Sequence, residues 1–376
     1  MPDSQLRVGL CASLIPVFTL MTASVLAHHP ILAKFDDSQA VSFQGRVTAI
    51  DWSSPHAHVY INVMEDGEPV NWAIELESPV ILEWSGWGPE SLSVGESIRV
   101  SGIAARNGSH QAWSSAMTRQ NGSAIFTVPD DLIETKLANR PAGTVPRWPD
   151  NQPRLGPPPG ATGFWLATAA SLMVEAGVQV PMDAYGMLED IDDAARVAPF
   201  MDWSRELYTR RQAAHGSDDP LFLKCIPPGG PRQFQSPHAV QFVEERSRER
   251  IILLMSGGNG NWRTLYTDGR AAVNQISGND DNPVFYGRST AIWEGDTLVV
   301  NTTGFNESFW FANGGLLHTR LLDLTERFTR RDLNTLHYQV TVNDPGAYTR
   351  PWTSSWDLQW VPGEELPESY CQDNRQ

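Results

Sequence analysis

The sequence predicts a mainly β protein built from a small OB-like barrel and a larger lipocalin-like antiparallel β-barrel or curved sheet, with two short helices between them. Short alternating apolar runs separated by Asp-Gly and Gly-containing turns are the first observation. The second is composition: Gly 30, Pro 27 and Trp 14 weight the chain towards strands and turns. The third is a proline cluster at Pro141, Pro146, Pro149, Pro153, Pro157, Pro158 and Pro159, which divides the chain. At 376 residues two cores are expected, because a single core usually stops growing below that length. Hydrophobic residues at 41% exclude wholesale disorder. A net charge of −16 excludes a protein that holds nucleic acid through phosphate electrostatics.

The first 27 residues read as a signal peptide. Arg7 precedes an uncharged stretch from Val8 to Leu26, and Val25-Leu26-Ala27 has the small-residue pattern of a cleavage site. A periplasmic or secreted chain with no transmembrane span after signal removal is expected; a single membrane anchor is the competing reading. Cys11 leaves with the signal. Cys225 and Cys371 remain, as one disulfide or as two buried thiols.

Residues 28–128 form the small unit. Val41 to Trp52 alternates as a strand, Pro55 to Val63 follows, Asp66-Gly67 marks a hairpin turn before Val70 to Leu76, and Leu92 to Val100 enters another strand. A sandwich is the alternative to the barrel. Residues 129–161 read as an extended, semi-rigid proline-rich linker. Residues 162–238 read as a helical connector, with one apolar helix from Thr162 to about Gly177 and another from Pro199 to His215 ended by Gly216. In residues 239–376 strands are expected at Ile251 to Met255, Arg263 to Thr267, Thr290 to Trp293, Thr297 to Thr302, Leu324 to Arg330 and Leu336 to Asn343, followed by a Trp-rich tail.

Two blocks resemble known families. Residues 27–120, with AHHP, FQGRVTAIDWSSPHAHVYINV, VNWAIELESP and GWGPESLSVGESIRVSG, resemble the exported DUF6152 family of unknown function. Residues 196–376, with CIPPGGPR, RTLYTDGR, WEGDTLVVNTTGF, TERFTRRD and NDPGAYTRPW, resemble a periplasmic β-domain family of environmental Gram-negative bacteria. The resemblance implies export, a β-rich architecture and the Cys225–Cys371 pair, and no reaction. At Tyr286-Gly287-Arg288-Ser289 similar sequences usually carry Gly-His-Ser, so that histidine is missing here.

Histidines make the sharpest constellation. Cleavage after Ala27 exposes His28 as an N-terminal amine and imidazole beside His29, similar to the histidine brace of copper enzymes. His56 and His58 stand two apart in a strand and share one face with Tyr60 and Asn62, while Ala57, Val59, Ile61 and Val63 take the core face. Copper or zinc is the cofactor such imidazoles suit. A solvated strand face is the alternative. In the larger unit Arg263, Tyr266, Asp268 and Arg270 gather at one turn, and Glu326, Phe328 and Arg330 share a strand face. If that face lines a barrel, desolvated Glu326 and Arg330 permit acid–base work, with His318 as a proton shuttle. Asp268, Glu326, His318, Arg330, Tyr266 and Arg270 are thus the candidate catalytic residues. Ordinary turn chemistry and a Glu326–Arg330 ion pair are the alternatives.

Gly-x-Ser-x-Gly, phosphate-loop, dinucleotide and His-Glu-x-x-His motifs are absent from the sequence. The leading expectation is a periplasmic protein that binds, and by acid–base chemistry transforms, a bulky hydrophobic small molecule, as a lyase, isomerase or hydrolase without cofactor. The alternatives are a copper or zinc binding protein and a non-catalytic envelope module.

Overall fold

The computed structural model describes residues 31–53, 56–127, 132–167, 173–183, 187–235, 239–257, 261–270 and 283–366. The expected signal peptide, His28, His29 and Cys371 lie outside the described residues. Among the described residues no helix is long and apolar enough to cross a membrane.

The small barrel consists of β1 (Phe35–Asp51), β2 (His58–Glu65), β3 (Glu68–Glu75), β4 (Ser97–Ala105) and β5 (Gln111–Arg119), with a short β6 (Ala124–Thr127) added on β5. β1, β2 and β3 form a meander, β4 returns to pair with β1, and β5 pairs antiparallel with β4 and parallel with β3, which closes the ring. That is OB topology. The long β1 can serve two neighbours because a bulge between Val47 and Ala49 bends it. The β2–β3 hairpin turns through Asp66 and Gly67, both at positive φ (50° and 88°), as Asp-Gly favours. At Gly102 the strands β4 and β5 approach so closely that a Cβ would lie 2.0 Å from the Trp113 carbonyl oxygen. The helix Pro79–Trp84, capped by Ser78 with Pro79 in its first turn, joins β3 to β4. Val47, Val59, Ile61, Ile74, Leu82, Ile98, Val100 and Met117 fill the core.

The large barrel closes from nine strands: β7 (Gly163–Leu166), β8 (Ala239–Glu245), β9 (Arg250–Met255), β10 (Asn261–Tyr266), β11 (Arg288–Glu294), β12 (Thr297–Thr303), β13 (Asp323–Arg330), β14 (Thr335–Asn343) and β15 (Trp352–Pro362). Neighbours are antiparallel except β10 and β11. All six expected strands of this region are present, and the expected second helix is Asp202–Ala213. The apolar run after Thr162 differs from expectation. Its first residues form strand β7 rather than a helix, because Phe164 and Trp165 pair with β15 and Trp165 and Leu166 with β8 to close the ring. The outward side chains of Phe164 and Leu166 meet Val80 and Trp84 of the helix Pro79–Trp84.

The proline-rich segment is extended, but it is a strap rather than a free linker. Leu333 donates its N–H to Gly143, the Trp148 indole donates to Glu244, and Leu155 is fully buried. The strap runs under the barrel end that carries the β13–β14 turn. The opposite end carries the long β12–β13 loop and the 3-10 turn Gly230–Phe234, which inserts into the barrel.

Candidate functional site

Strand β13 alternates strictly, so Leu324, Glu326, Phe328 and Arg330 all point into the barrel and are buried. The face that Glu326, Phe328 and Arg330 share does line the interior, but the carboxylate and the guanidinium are not each other's partner. Glu326 is gripped by Arg263 of β10, whose Nη1 donates to Oε1 at 3.1 Å and whose Nη2 donates to Oε2. Tyr338 donates its hydroxyl to Glu326 Oε1 at 3.0 Å, and Thr302 donates to Oε2 at 3.4 Å. Arg263 also donates to Ser289 (2.9 Å) and Thr302 (2.5 Å). Both oxygens of Glu326 are thus engaged, by a planar cation and by hydroxyls. Glu326 is therefore a positioning residue, and its network organises the barrel interior.

Arg330 lies four residues further along β13, roughly 13 Å away by strand rise. It donates to the carbonyls of Arg154 (2.8 Å), Gly156 (2.9 Å), Asp332 (3.2 Å) and Leu333 (2.7 Å), between the rings of Trp165 and Trp360. Burial lowers its pKa to about 10, so it stays charged at neutral pH. Its task is to hold the strap in place.

At the opposite end the 3-10 turn Gly230–Phe234 forms a plug. Arg232 anchors it through a fully buried fork to Asp219 (3.0 and 2.5 Å) and a bond to Asn313. Phe234 stacks 4.5 Å from Tyr338 and packs 5.1 Å from Phe328. Next to it Gln233 is only 1% exposed, yet neither its Nε2 nor its Oε1 has a hydrogen-bond partner. Burial raises the pKa of the Tyr286 hydroxyl, and Gln233 lies close enough to lower it through a side-chain hydrogen bond, although the contact falls short of strict hydrogen-bond geometry. Gly287, at φ 63°, turns the chain here: a Cβ would sit 2.6 Å from Thr302 and 3.1 Å from Phe305. This close approach sets the Tyr286-Gly287 backbone against β12.

His318 is buried in a cage of Phe305, Phe309 and Phe311 rings, the nearest 4.4 Å away. Its Nε2 lies 2.8 Å from the Asn306 carbonyl, which can only accept, so Nε2 carries the proton. Nδ1 is then a buried lone pair with no partner. Desolvation lowers its pKa below the ordinary histidine value and keeps the ring neutral. Phe309 also abuts Gly229, so His318 and the plug share one aromatic wall.

Asp268, Tyr266 and Arg270 do not join this site. Arg270 donates to Asp268 (2.6 Å) and lies 3.6 Å over the Tyr266 ring, a self-contained turn clasp at the surface. The Arg270 hydrogen bond lowers the Asp268 pKa, which suits a clasp rather than a base. The residues missed from the sequence, Gln233, Ser289, Thr302 and Tyr338, carry no motif. The Pro-Pro-Gly-Gly-Pro-Arg-Gln-Phe run is the local signal that could have marked a segment held in an unusual conformation.

In the small barrel His56 and His58 both point to the face opposite the core, as the two-residue spacing predicts, but that face is buried rather than solvated. The Trp113 ring stands edge-on to His56 at 5.3 Å, and Ile31 and Phe35 cover it. His56 Nδ1 lies 2.8 Å from the Leu76 carbonyl and His58 Nδ1 3.0 Å from the His56 carbonyl, so both Nδ1 atoms are the protonated ones. Their Nε2 atoms face one carboxylate: His56 is 3.9 Å from Glu75 Oε1, and His58 is 3.6 Å from Glu75 Oε2. Lys34 Nζ also reaches Glu75 Oε2, at 2.6 Å. Burial raises the pKa of nearby Glu77 to about 8. Among the described residues no group of three or more His, Cys, Asp or Glu side chains is placed to hold a metal ion.

No curated protein matches the chain. Residues 17–114, which span β1 to β4, part of β5 and the His56–His58–Glu75 cluster, match a family of unknown function, DUF6152.

Proposed function

We propose that the large barrel binds a small, largely apolar molecule at its plugged end and that the protein works in the periplasm. The observation that carries this reading is Gln233. An amide buried with neither its donor nor its acceptor in good hydrogen-bond geometry costs on the order of 1–3 kcal/mol per group, a cost that a polar group of a bound ligand would remove. Tyr286 and His318 Nδ1 add a hydroxyl and a lone pair along the same aromatic wall. The rings of Phe305, Phe309 and Phe311 supply apolar surface for a bulky body.

His318 is the acid–base group of this reading. Its neutral ring offers Nδ1 to a substrate proton, while Glu326 is occupied. The charges in the barrel interior are already compensated: Arg263 by Glu326, and Arg330 by four carbonyls. The ligand is thus an uncharged molecule carrying a hydroxyl or carbonyl, and a lyase or isomerase type of proton transfer fits better than anion chemistry. A Cys225–Cys371 bridge belongs to the same exported protein, and mass spectrometry before and after reduction tests it through a 2 Da difference.

The test is titration of the purified protein with N-phenyl-1-naphthylamine, an uncharged apolar fluorophore, in parallel with Gln233→Leu. Saturable binding in the native chain that weakens at least tenfold in Gln233→Leu supports the reading. Absence of saturable binding, or equal affinity in both, overturns it.

A further inference from the structure

We infer that the plugged end of the large barrel takes a proton from the carbon beside a carbonyl group, with His318 Nδ1 as the base and Tyr286 and Gln233 as donors to the carbonyl oxygen. The inference rests on the reading of that end as a ligand site. It narrows the ligand to an uncharged, enolisable ketone or aldehyde with a bulky apolar body.

The base is the first support. His318 Nε2 donates to the Asn306 carbonyl, which fixes the tautomer and leaves Nδ1 as a buried lone pair without a hydrogen-bond partner. Burial keeps the ring neutral at rest, while Asp344 and Glu307 favour the imidazolium that a captured proton creates and Arg211 opposes it. The donors are the second. Tyr286 and Gln233 meet side by side and bring a phenol O–H and an amide NH2, of which their mutual contact uses one proton at most. The remaining protons suit an oxygen that gains negative charge, as a carbonyl oxygen does on enolisation.

Separation is the third. Base and donors stand on different parts of one aromatic wall. Phe309 lies 4.4 Å from His318 and 6.4 Å from Phe285, the residue before Tyr286, and it abuts Gly229 at the foot of the plug that carries Gln233. A hydroxyl substrate would develop its charge on the atom the base touches. An enolisable carbonyl develops it two bonds away, where separate donors reach it. The C–H electron pair becomes the C=C bond, the C=O π pair moves onto oxygen, and the proton passes to Nδ1. Its return to the same carbon, or to the far end of a conjugated dienolate, completes a racemisation or a double-bond shift with no further reactant.

The experiment follows hydrogen–deuterium exchange of 1-tetralone, an uncharged bicyclic ketone, by proton NMR in D2O. It uses the full chain at tetralone concentrations that displace N-phenyl-1-naphthylamine, so that the rate reports proton transfer rather than affinity. Exchange beside the carbonyl should run about 1000-fold above the protein-free rate and fall about 100-fold in His318→Gln and in Tyr286→Phe. Circular dichroism checks the fold of each variant. Tyr286→Phe removes a single oxygen atom, so the test survives if His318→Gln fails to fold. Bound naphthylamine that tetralone does not displace, or displacement without exchange, overturns the inference and leaves the ligand site standing. So does an exchange rate unchanged in either folded variant. Absence of saturable naphthylamine binding overturns both.

Discussion

The two ends of the large barrel treat buried polarity in opposite ways. At the strap end Arg330 is surrounded by four carbonyls and two indoles, and Glu244 accepts from Trp148, Leu155 and Gly156. The one unpartnered buried side-chain atom there among the described residues, Arg154 Nε, belongs to a guanidinium stacked 3.7 Å over the Trp148 ring. At the plug end Gln233, Tyr286 and His318 keep polar atoms that the protein leaves unsatisfied. Both ends are equally buried, so burial does not separate structure from function here. Satisfaction does: a polar group with all its partners holds the fold, and one without them waits for something else.

Substitutions sharpen this contrast. Glu326→Gln should have the largest effect, since it leaves the Arg263 guanidinium buried and uncompensated, and about 3–5 kcal/mol should be lost in urea unfolding. Arg330→Met should come next, at about 3 kcal/mol, because four carbonyls lose a charged donor. In that variant a trypsin cleavage assay should show faster cutting at Arg147 and Arg154 in the strap, with naphthylamine binding at the other end unchanged. If Arg330→Met abolished binding and left the strap protected, the division between the ends would be wrong.

Gln233→Met should move stability the other way, by about 1 kcal/mol towards a more stable ligand-free protein, since an unsatisfied amide gives way to an apolar group of similar length. A loss of more than about 1 kcal/mol in thermal unfolding would mean that Gln233 has partners after all.

The smallest effect is the pH response of His318. Its folded pKa is lowered by burial, with Arg211 adding to the depression and Asp344 and Glu307 opposing it. A depressed histidine leaves the folded state neutral while the unfolded chain takes up a proton. Stability is then unaffected by this group above about pH 6.5 and falls as pH drops below it, by at most about 1.4 kcal/mol per pH unit until the folded pKa is reached. Urea unfolding at pH 7.5 and pH 5.5 should show this slope in the native chain and a shallower one in His318→Gln. Equal slopes would place His318 outside the desolvated cage.

Much of this was legible in the residues. Alternation predicted β13 with Glu326 and Arg330 on one face, and Asp66-Gly67 predicted its hairpin, because both depend on neighbours two or three residues apart. The spacing of His56 and His58 likewise predicted a shared face. The strand β7 was hidden, because a four-residue apolar segment reads equally as strand or helix until its partners, β8 and β15, are known. Tyr266, Asp268 and Arg270 looked like a site because a clasp and an active-site cluster use the same residue types.

The sequence by itself determined the two β units, the turns between their strands and which residues of β2 and β13 share a face. These follow from local periodicity and turn chemistry. Only the tertiary structure decided who meets whom inside. It chose Arg263 rather than Arg330 for Glu326, buried His56 and His58 against Glu75, and put Gln233 into the barrel on an inserted plug. Pairings across 17 to 63 residues are set by barrel closure and register, and neither leaves a mark in the local pattern.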